Sequence, residues 1–332
     1  MANFAVDIVI PWVDGSNEKW RKNFEFYRSV EGNAIGEEGF RSSKELLELW
    51  LRGALKYATW AHKIFIVVDR LTDLSGMDIQ KDNIEIVYHD EFIPKDYLPT
   101  FNSNVIECFA YLIPNLAEHF VLFNDDCYLV NKTTQEDFFT SDGRAVDADQ
   151  VYPVGVSEVY SHTIVNNLIF INGRLDFKKY RAEFFKRNFK SVFRPRTFRS
   201  LMFNKLLSSF HGWQDEHIPI AYTRTMFKQT FGTFDELHHQ LLSGSKFRTF
   251  SDVSHLLVRF WRLAKFDYSP RGFRTLGVYT EIEPGGQQKK LEQLLEAQHK
   301  IICVNDIEMS KNEAQQAYGE LMRILTRFYG RK

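Results

Sequence analysis

The chain has 332 residues, of which 44% are hydrophobic, 26% charged and 15% aromatic. That is enough apolar material for one large α/β domain or for a core with an insertion, and it excludes a disordered chain. With 42 basic and 43 acidic residues the formal net charge is −1, so no whole-molecule field selects nucleic acid as a partner, and no window approaches the apolar length of a membrane span.

In chain order, residues 4–11 come first, an apolar stretch that is short, lacks a basic flank and contains Asp7. It predicts a buried strand rather than a signal peptide. Asp14-Gly15-Ser16 follows as a turn, where a loop can cover a nucleotide. Residues 44–57 repeat Leu46, Leu49, Trp50 and Gly53 with helical period behind Ser42 and Glu45, which have capping-box spacing. Residues 63–69, 84–89 and 119–125 are further β-rich runs. Strands alternating with helical patterns predict an α/β fold with a mostly parallel sheet flanked by helices.

After Gly173 the composition changes. From Arg174 to Lys205 eleven Lys or Arg residues stand against Asp176 and Glu183 alone, with Phe177, Tyr180, Phe184, Phe185, Phe189, Phe193, Phe198 and Phe203 interleaved. The pattern predicts a helical insertion over 174–245 between core segments 1–173 and 246–332. A helix near 252–266 then precedes the loop Pro284-Gly285-Gly286, and residues 300–305 predict a strand ending in Asn305-Asp306. The last helix opens on Ser310 and Glu313, another capping box, and carries Leu321, Ile324, Leu325 and Phe328 on one face. Cys108, Cys127 and Cys303 match neither a disulfide framework nor a zinc spacing, which predicts a reducing compartment, the cytoplasm.

The chemistry-bearing residues each have a plainer alternative. His119 to Asp126 reads as an apolar strand ending in Asn124-Asp125-Asp126. Hard oxygen ligands at the edge of an open sheet suit Mg²⁺ or Mn²⁺ carrying a phosphate, although Asn and Asp also end strands in simple turns. Asn305-Asp306 repeats the pattern on a second strand. Glu107 has capping-box spacing from Asn104 and can serve a helix end alone. His217 lies beside two acids in Asp215-Glu216-His217-Ile218-Pro219, which would raise its pKa and strengthen it as a base, although a lone histidine can also be merely structural. Arg248 suits a phosphate or a solvated surface; Trp12 and Asp14 are core and turn residues, or the floor and rim of a nucleotide pocket. The basic, aromatic segment 174–205 is a solvated helical face over a Phe-rich core, or a surface for anionic lipid.

Pro11-Trp12-Val13-Asp14-Gly15-Ser16, Leu98-Pro99-Thr100-Phe101-Asn102-Ser103, Asn124-Asp125-Asp126, Glu216-His217-Ile218-Pro219 and Asn305-Asp306 resemble the four signature blocks of the Stealth family. That family contains bacterial capsular polysaccharide phosphotransferases and the lysosomal-targeting N-acetylglucosamine-1-phosphotransferase. The resemblance implies a Rossmann-like core, divalent-metal dependence and transfer of a sugar 1-phosphate from a UDP-sugar to a glycan hydroxyl, with UMP released. It implies catalytic roles for His217, Arg248, Asp125 and Glu107, and substrate contacts from Trp12, Asp14, Gly15, Arg41, Asn102 and Asn124. Asp126, Asn305 and Asp306 are the implied metal ligands. Two departures stand out. Arg41 is followed by Ser42-Ser43-Lys44 where the family has Arg-Asp-Asn, and the histidine usual shortly before the one matching His217 is replaced by His211 further upstream. The expected acceptor is a glycan, free or polyprenol-linked, met at the inner face of a bacterial membrane through 174–205. Two rival readings are a metal-dependent glycosyltransferase releasing UDP and a non-catalytic membrane or polysaccharide-binding protein.

Overall fold

In the computed structural model, which describes residues 4–31, 43–77, 79, 81–155, 159–191, 193–282, 288–307 and 309–330, the predicted apolar runs lie side by side. Strands β1 (Val6–Pro11), β2 (Ile64–Val68), β3 (Ile84–Tyr88) and β4 (His119–Leu122) pair in parallel, in the order β3-β2-β1-β4. Every residue of β2 is buried, as expected of a parallel strand covered on both faces. The chain steps outward from β1 to β2 and β3, then returns to the other side of β1 for β4. Strand order therefore reverses between β1 and β4, and a crevice opens beyond their carboxyl ends.

Helices α1 (Glu18–Glu31), α2 (Lys44–Tyr57) and α3 (Ser103–Phe109) fill the first crossovers. Helix α2 starts where its period predicts, but its cap is Ser43, whose hydroxyl accepts from the Leu46 amide at 3.4 Å; Ser42 lies outside the described residues. Its Gly53 is required by a close approach: a Cβ there would lie 2.6 Å from the Tyr329 hydroxyl and 2.8 Å from the Leu129 carbonyl oxygen. At the amino ends of the strands, the buried Asp7 carboxylate accepts from His62 Nδ1, the Lys63 amide and the Ala117 amide at 2.6–3.0 Å, which ties three segments together away from the crevice.

Strand β5 (Cys127–Leu129) follows Asp126 directly and leaves the main sheet. After the short strand β6 (Val146–Asp147), helices α4 (Val159–Arg174), α5 (Phe177–Asn188) and α6 (Pro195–Leu206) form an excursion. Its base is a neck. Val151 bridges Trp213, the Tyr152 amide donates to the Gly212 carbonyl at 3.2 Å, and the Gln214 amide donates to the Gln150 carbonyl at 2.8 Å.

The expected all-helical insertion over 174–245 is corrected here, because β7 (Ile220–Thr223) joins the main sheet, antiparallel to β4. Helices α7 (Arg224–Thr233) and α8 (Leu237–Ser243) follow it, and the buried Met226, Phe227, Leu237 and Leu241 belong to the main core. Helix α9 (Leu256–Ala264), strands β8 (Ser269–Pro270) and β9 (Gly277–Ile282), helix α10 (Gln288–Glu296), strand β10 (Ile301–Asp306) and helix α11 (Lys311–Gly330) complete the chain. In a second sheet β10 lies between β5, antiparallel, and β9, parallel. Cys303 faces Cys127 across that sheet, an adjacency that their sequence separation hides. Among the described residues no helix is long and apolar enough to cross a membrane.

Candidate active site

The crevice collects side chains from four directions. From β4 comes Asn124-Asp125-Asp126, half-buried, with the Cys127 amide donating to the Asn124 carbonyl at 3.1 Å. The motif is thus a strand-ending turn as well as a cluster of carboxylates. The Val304 amide of β10 donates to the Asp126 carbonyl at 2.9 Å, which brings the Asn305-Asp306 end of that strand to the same crest. Because β7 runs opposite to β4, the segment entering it, Asp215 to Pro219, also arrives there. His217 sits on that segment with φ of +51°, in the left-handed region.

His217 Nε2 lies 3.7 Å from Asp126 Oδ2. Burial disfavours a charged imidazole, but the proximity and charge of Asp126, with Asp215 and Glu107 behind it, outweigh burial and push His217 up to about 9. Asp126 behaves conversely: burial would raise it, and His217 with the thiols of Cys303 and Cys127 holds it below the usual carboxylate value. Cys303 Sγ is 3.2 Å from Asp126 Oδ2 and Cys127 Sγ is 3.4 Å from Oδ1. Burial keeps both thiols protonated, pushing Cys127 up to about 12 and Cys303 strongly upward.

From α3 comes Glu107. It is not a cap: Asn102 caps α3, accepting from the Asn104 amide at 3.1 Å, and Glu107 lies in the body of the helix. Burial pushes its carboxyl up to about 7, opposed by Arg248 and His217 and assisted by Asp125 and Asp126. Arg248 is exposed and donates to the Ser103 hydroxyl at 2.7 Å. The His255 Nε2 stands 3.4 Å from Glu107 Oε2. Nothing in the sequence pointed to His255, a lone histidine 148 positions from its carboxylate.

Buried ion pairs hold the His217 segment. Arg259, fully buried, pairs with Asp147 at 2.9 Å and with Asp215 at 3.3 Å, while Arg262 also reaches Asp147. Burial would raise Asp147, but Arg259, Arg262 and Arg271 hold it down at about 2. Glu216 is taken up by Arg271 and the Arg274 amide. The expectation that both flanking acids strengthen His217 is therefore corrected, since Glu216 is turned away and Asp126 takes its place. The Tyr160 and Tyr279 rings flank the imidazole at 6.1 and 5.5 Å.

Asn102, expected to touch substrate, is buried with its amide Nδ2 committed to the Gly244 and Phe247 carbonyls and to Asp252 Oδ2, at 2.7–3.4 Å. It anchors the loop that carries Arg248. Trp12, Asp14 and Gly15 are buried in the β1–α1 turn, where the Asp14 carboxylate accepts from the Ser16 amide at 2.9 Å. Asn305 Nδ2 is 3.1 Å from the Tyr279 hydroxyl. Arg41 and the side chain of Asp306 lie outside the described residues.

One donor atom each from Asp126, His217 and Cys303 lie within 4.8 Å of one another, so the crest can hold a cation. A protonated thiol is a poor ligand and an imidazole prefers softer metals than Mg²⁺. The carboxylates of Asp126 and its neighbours are what fit a hard divalent ion.

Comparison with known proteins bears on this site. The family profile described as Stealth protein CR2, conserved region 2, matches residues 40–147, which include Glu107 and Asn124-Asp125-Asp126. Exopolysaccharide phosphotransferase cps2G of Lactiplantibacillus plantarum is 31% identical over 318 residues, covering 93% of this chain and 90% of its own. Capsular polysaccharide phosphotransferase WcwK of Streptococcus pneumoniae is 28% identical over 311 residues, covering 92% of each. Receptor polysaccharide phosphotransferase WefC of Streptococcus gordonii is 30% identical over 322 residues, covering 93% of this chain and 92% of its own.

Proposed function

The chain belongs to the Stealth family and is a polysaccharide phosphotransferase, and from that premise we propose that it transfers a hexose or N-acetylhexosamine 1-phosphate from a UDP-sugar to a glycan hydroxyl in surface-polysaccharide synthesis. The acceptor oxygen attacks the phosphorus nearest the sugar. The bond from that phosphorus to the bridging oxygen breaks, UMP leaves with the electron pair, and a phosphodiester remains. The observation that carries this reading is the convergence of His217, Asp126, Glu107 and the Arg248 loop at one crest.

The hydroxyl proton goes to His217. Of the two titratable groups suited to receive it, His217 keeps 29% of its side chain exposed and Glu107 only 12%, and a base must reach the proton it takes. Paired with Asp126, the imidazole is a stronger base in its neutral form, and that form grows with pH, reaching half of the population at about pH 9. Arg248 offsets charge on the transferred phosphoryl group. Glu107 and Asp125 set the electrostatic balance around His217 and Arg248. The β1–α1 turn at Asp14 and Gly15 covers the nucleotide, and Asn124 orients the phosphates. Mg²⁺ or Mn²⁺, held by Asp126 with Asn305 and Asp306, would supply charge neutralisation on the diphosphate.

The excursion between the two halves of the neck serves the acceptor side, at the inner face of a bacterial membrane. Its basic surface and exposed Phe189, Phe193 and Phe198 support that placement. The deciding experiment is identification of the released nucleotide from UDP-glucose, UDP-galactose and the UDP-N-acetylhexosamines, with methyl glycosides as acceptors. UMP is expected. UDP would make the enzyme a glycosyltransferase, and no nucleotide from any donor would favour a binding role.

A further inference from the structure

A buried carboxyl that changes its ionisation near neutrality needs a hydrogen-bond partner in both states. Glu107 faces one on the side of α9. His255, which precedes the first turn of that helix, places Nε2 3.4 Å from Glu107 Oε2, close but not yet aligned as a hydrogen bond, a contact of the kind that tightens in a substrate complex. Behind the ring, Nδ1 lies 2.8 Å from the Tyr222 hydroxyl on β7. That hydroxyl also has the His255 carbonyl within 3.2 Å, but turning there would leave a bare Nε2 against a carboxylate. The favourable arrangement has Tyr222 donating to Nδ1 and Nε2–H donating to Oε2. Burial holds His255 neutral, at about 4, against the pull of Asp215 and with help from Arg259 and His217.

We propose that His255 is the positioning residue for Glu107, its tautomer fixed by Tyr222, so that Oε2 always accepts from Nε2–H and only Oε1 is left to exchange a proton or face a ligand. The same donor serves both states: the ionised carboxylate accepts at Oε2, and the protonated acid accepts there too while its proton sits on Oε1. The inference rests on the reading of Glu107 as part of the catalytic machinery.

Two measurements on the full chain test it. The first is the infrared C=O band of the protonated carboxyl, assigned as the band lost in Glu107→Gln. His255→Leu should shift that band to higher frequency by removing a donor to the carbonyl oxygen, and Tyr222→Phe should broaden it by freeing the tautomer. The second is UMP release from the UDP-hexose panel with methyl glycoside acceptors. His255→Leu should lower kcat about ten- to hundredfold, the effect of one hydrogen bond to a charged group, with KM for the donor within about twofold. His255→Gln, which keeps an N–H near the same place, should restore most of the loss, and neither change should add to Glu107→Gln. An unshifted band in His255→Leu, or a kcat equal to wild type beside a damaged Glu107→Gln, overturns the inference alone. A Glu107→Gln enzyme with full kcat overturns the reading of Glu107 and the inference with it.

Discussion

His217 is reached by the chain only through a strained turn, since a non-glycine residue at positive φ costs energy that its surroundings must offset. General base assistance is worth ~10²–10⁴-fold, so His217→Ala should cut UMP release by at least about a hundredfold; near-normal turnover would remove it from that role. Asn102 makes the opposite prediction. Replacing it with Ala strips the Gly244 and Phe247 carbonyls of their side-chain donor and leaves Asp252 Oδ2 with Asn104 alone, so the urea midpoint should fall by the equivalent of about 1–3 kcal/mol, with the loss of activity secondary to the displaced Arg248 loop. The motif containing Asn102 is visible in the sequence, but its role is not, because its partners lie 142 to 150 positions away. His255 was invisible for the same reason: its neighbours Ser254 and Leu256 carry no acid, and both its partners arrive by folding.

At the level of elements, β1, β2 and β4 were legible because parallel strands buried on two faces are continuous apolar runs, the half-exposed edge strand β3 by its β-branched residues, α2 by its period, and α11 because period and cap agree. Ser310 does cap the last helix, its hydroxyl and amide both bonded to Glu313. Strand β7 was not legible: Ile220-Ala221-Tyr222-Thr223 is four residues long and follows a polar loop, and nothing local dictates that it pairs antiparallel with β4. Asp147 on β6 anchors Arg259 and Arg262 of α9, and Arg259 in turn reaches Asp215 of the His217 segment. Asp147→Ala leaves Arg259 and Arg262 buried without their shared carboxylate, which should cost about 3–5 kcal/mol in chemical unfolding; a loss under about 1 kcal/mol would show that water replaces it. On α6, Phe198, Met202 and Leu206 recur every fourth residue on the face away from the buried Ser200, Leu201 and Asn204, and Phe193 just before the helix is 94% exposed. Co-sedimentation with phosphatidylglycerol vesicles should be strong at low salt, weaken as salt rises and drop when Phe193 and Phe198 become Ser. Equal retention by neutral vesicles would count against the basic residues.

The molecule as a whole should be acid-labile well above the carboxylate range. His89 and His255 are both buried and held at about 4, against about 6.5 in an unfolded chain. Above pH 6.5 both states leave these rings neutral and stability is unaffected. Below it the unfolded chain takes up protons that the folded one refuses, so the two rings lower stability continuously down to about pH 4, by about 3 kcal/mol each; Glu107, held at about 7, takes up its proton in the folded chain first and offsets roughly one ring's share, leaving a net decline. Asp147, held at about 2, adds a further loss once the pH drops below about 3.8, as the carboxylate protonates in the unfolded chain first. Urea midpoints at intervals from pH 7 to 4 should decline over that window; a flat profile would mean the rings become hydrated on acidification. The neck at Val151 and Trp213 has a different kind of consequence. Both ends of the helical arm leave from a single pair of bonded backbones, while His217 is fixed mainly by β7 and the arginines beneath it, the arm adding only Tyr160, whose ring lies against the imidazole and whose hydroxyl donates to Asp215. Exchanging the arm for that of a relative, spliced at Gln150 and Gln214 with Tyr160, Asn166 and Asn167 kept for their bonds to the catalytic side, should therefore yield a chimera that keeps its donor chemistry and takes the acceptor of the arm's source, a route by which one catalytic scaffold can be refitted to many polymers.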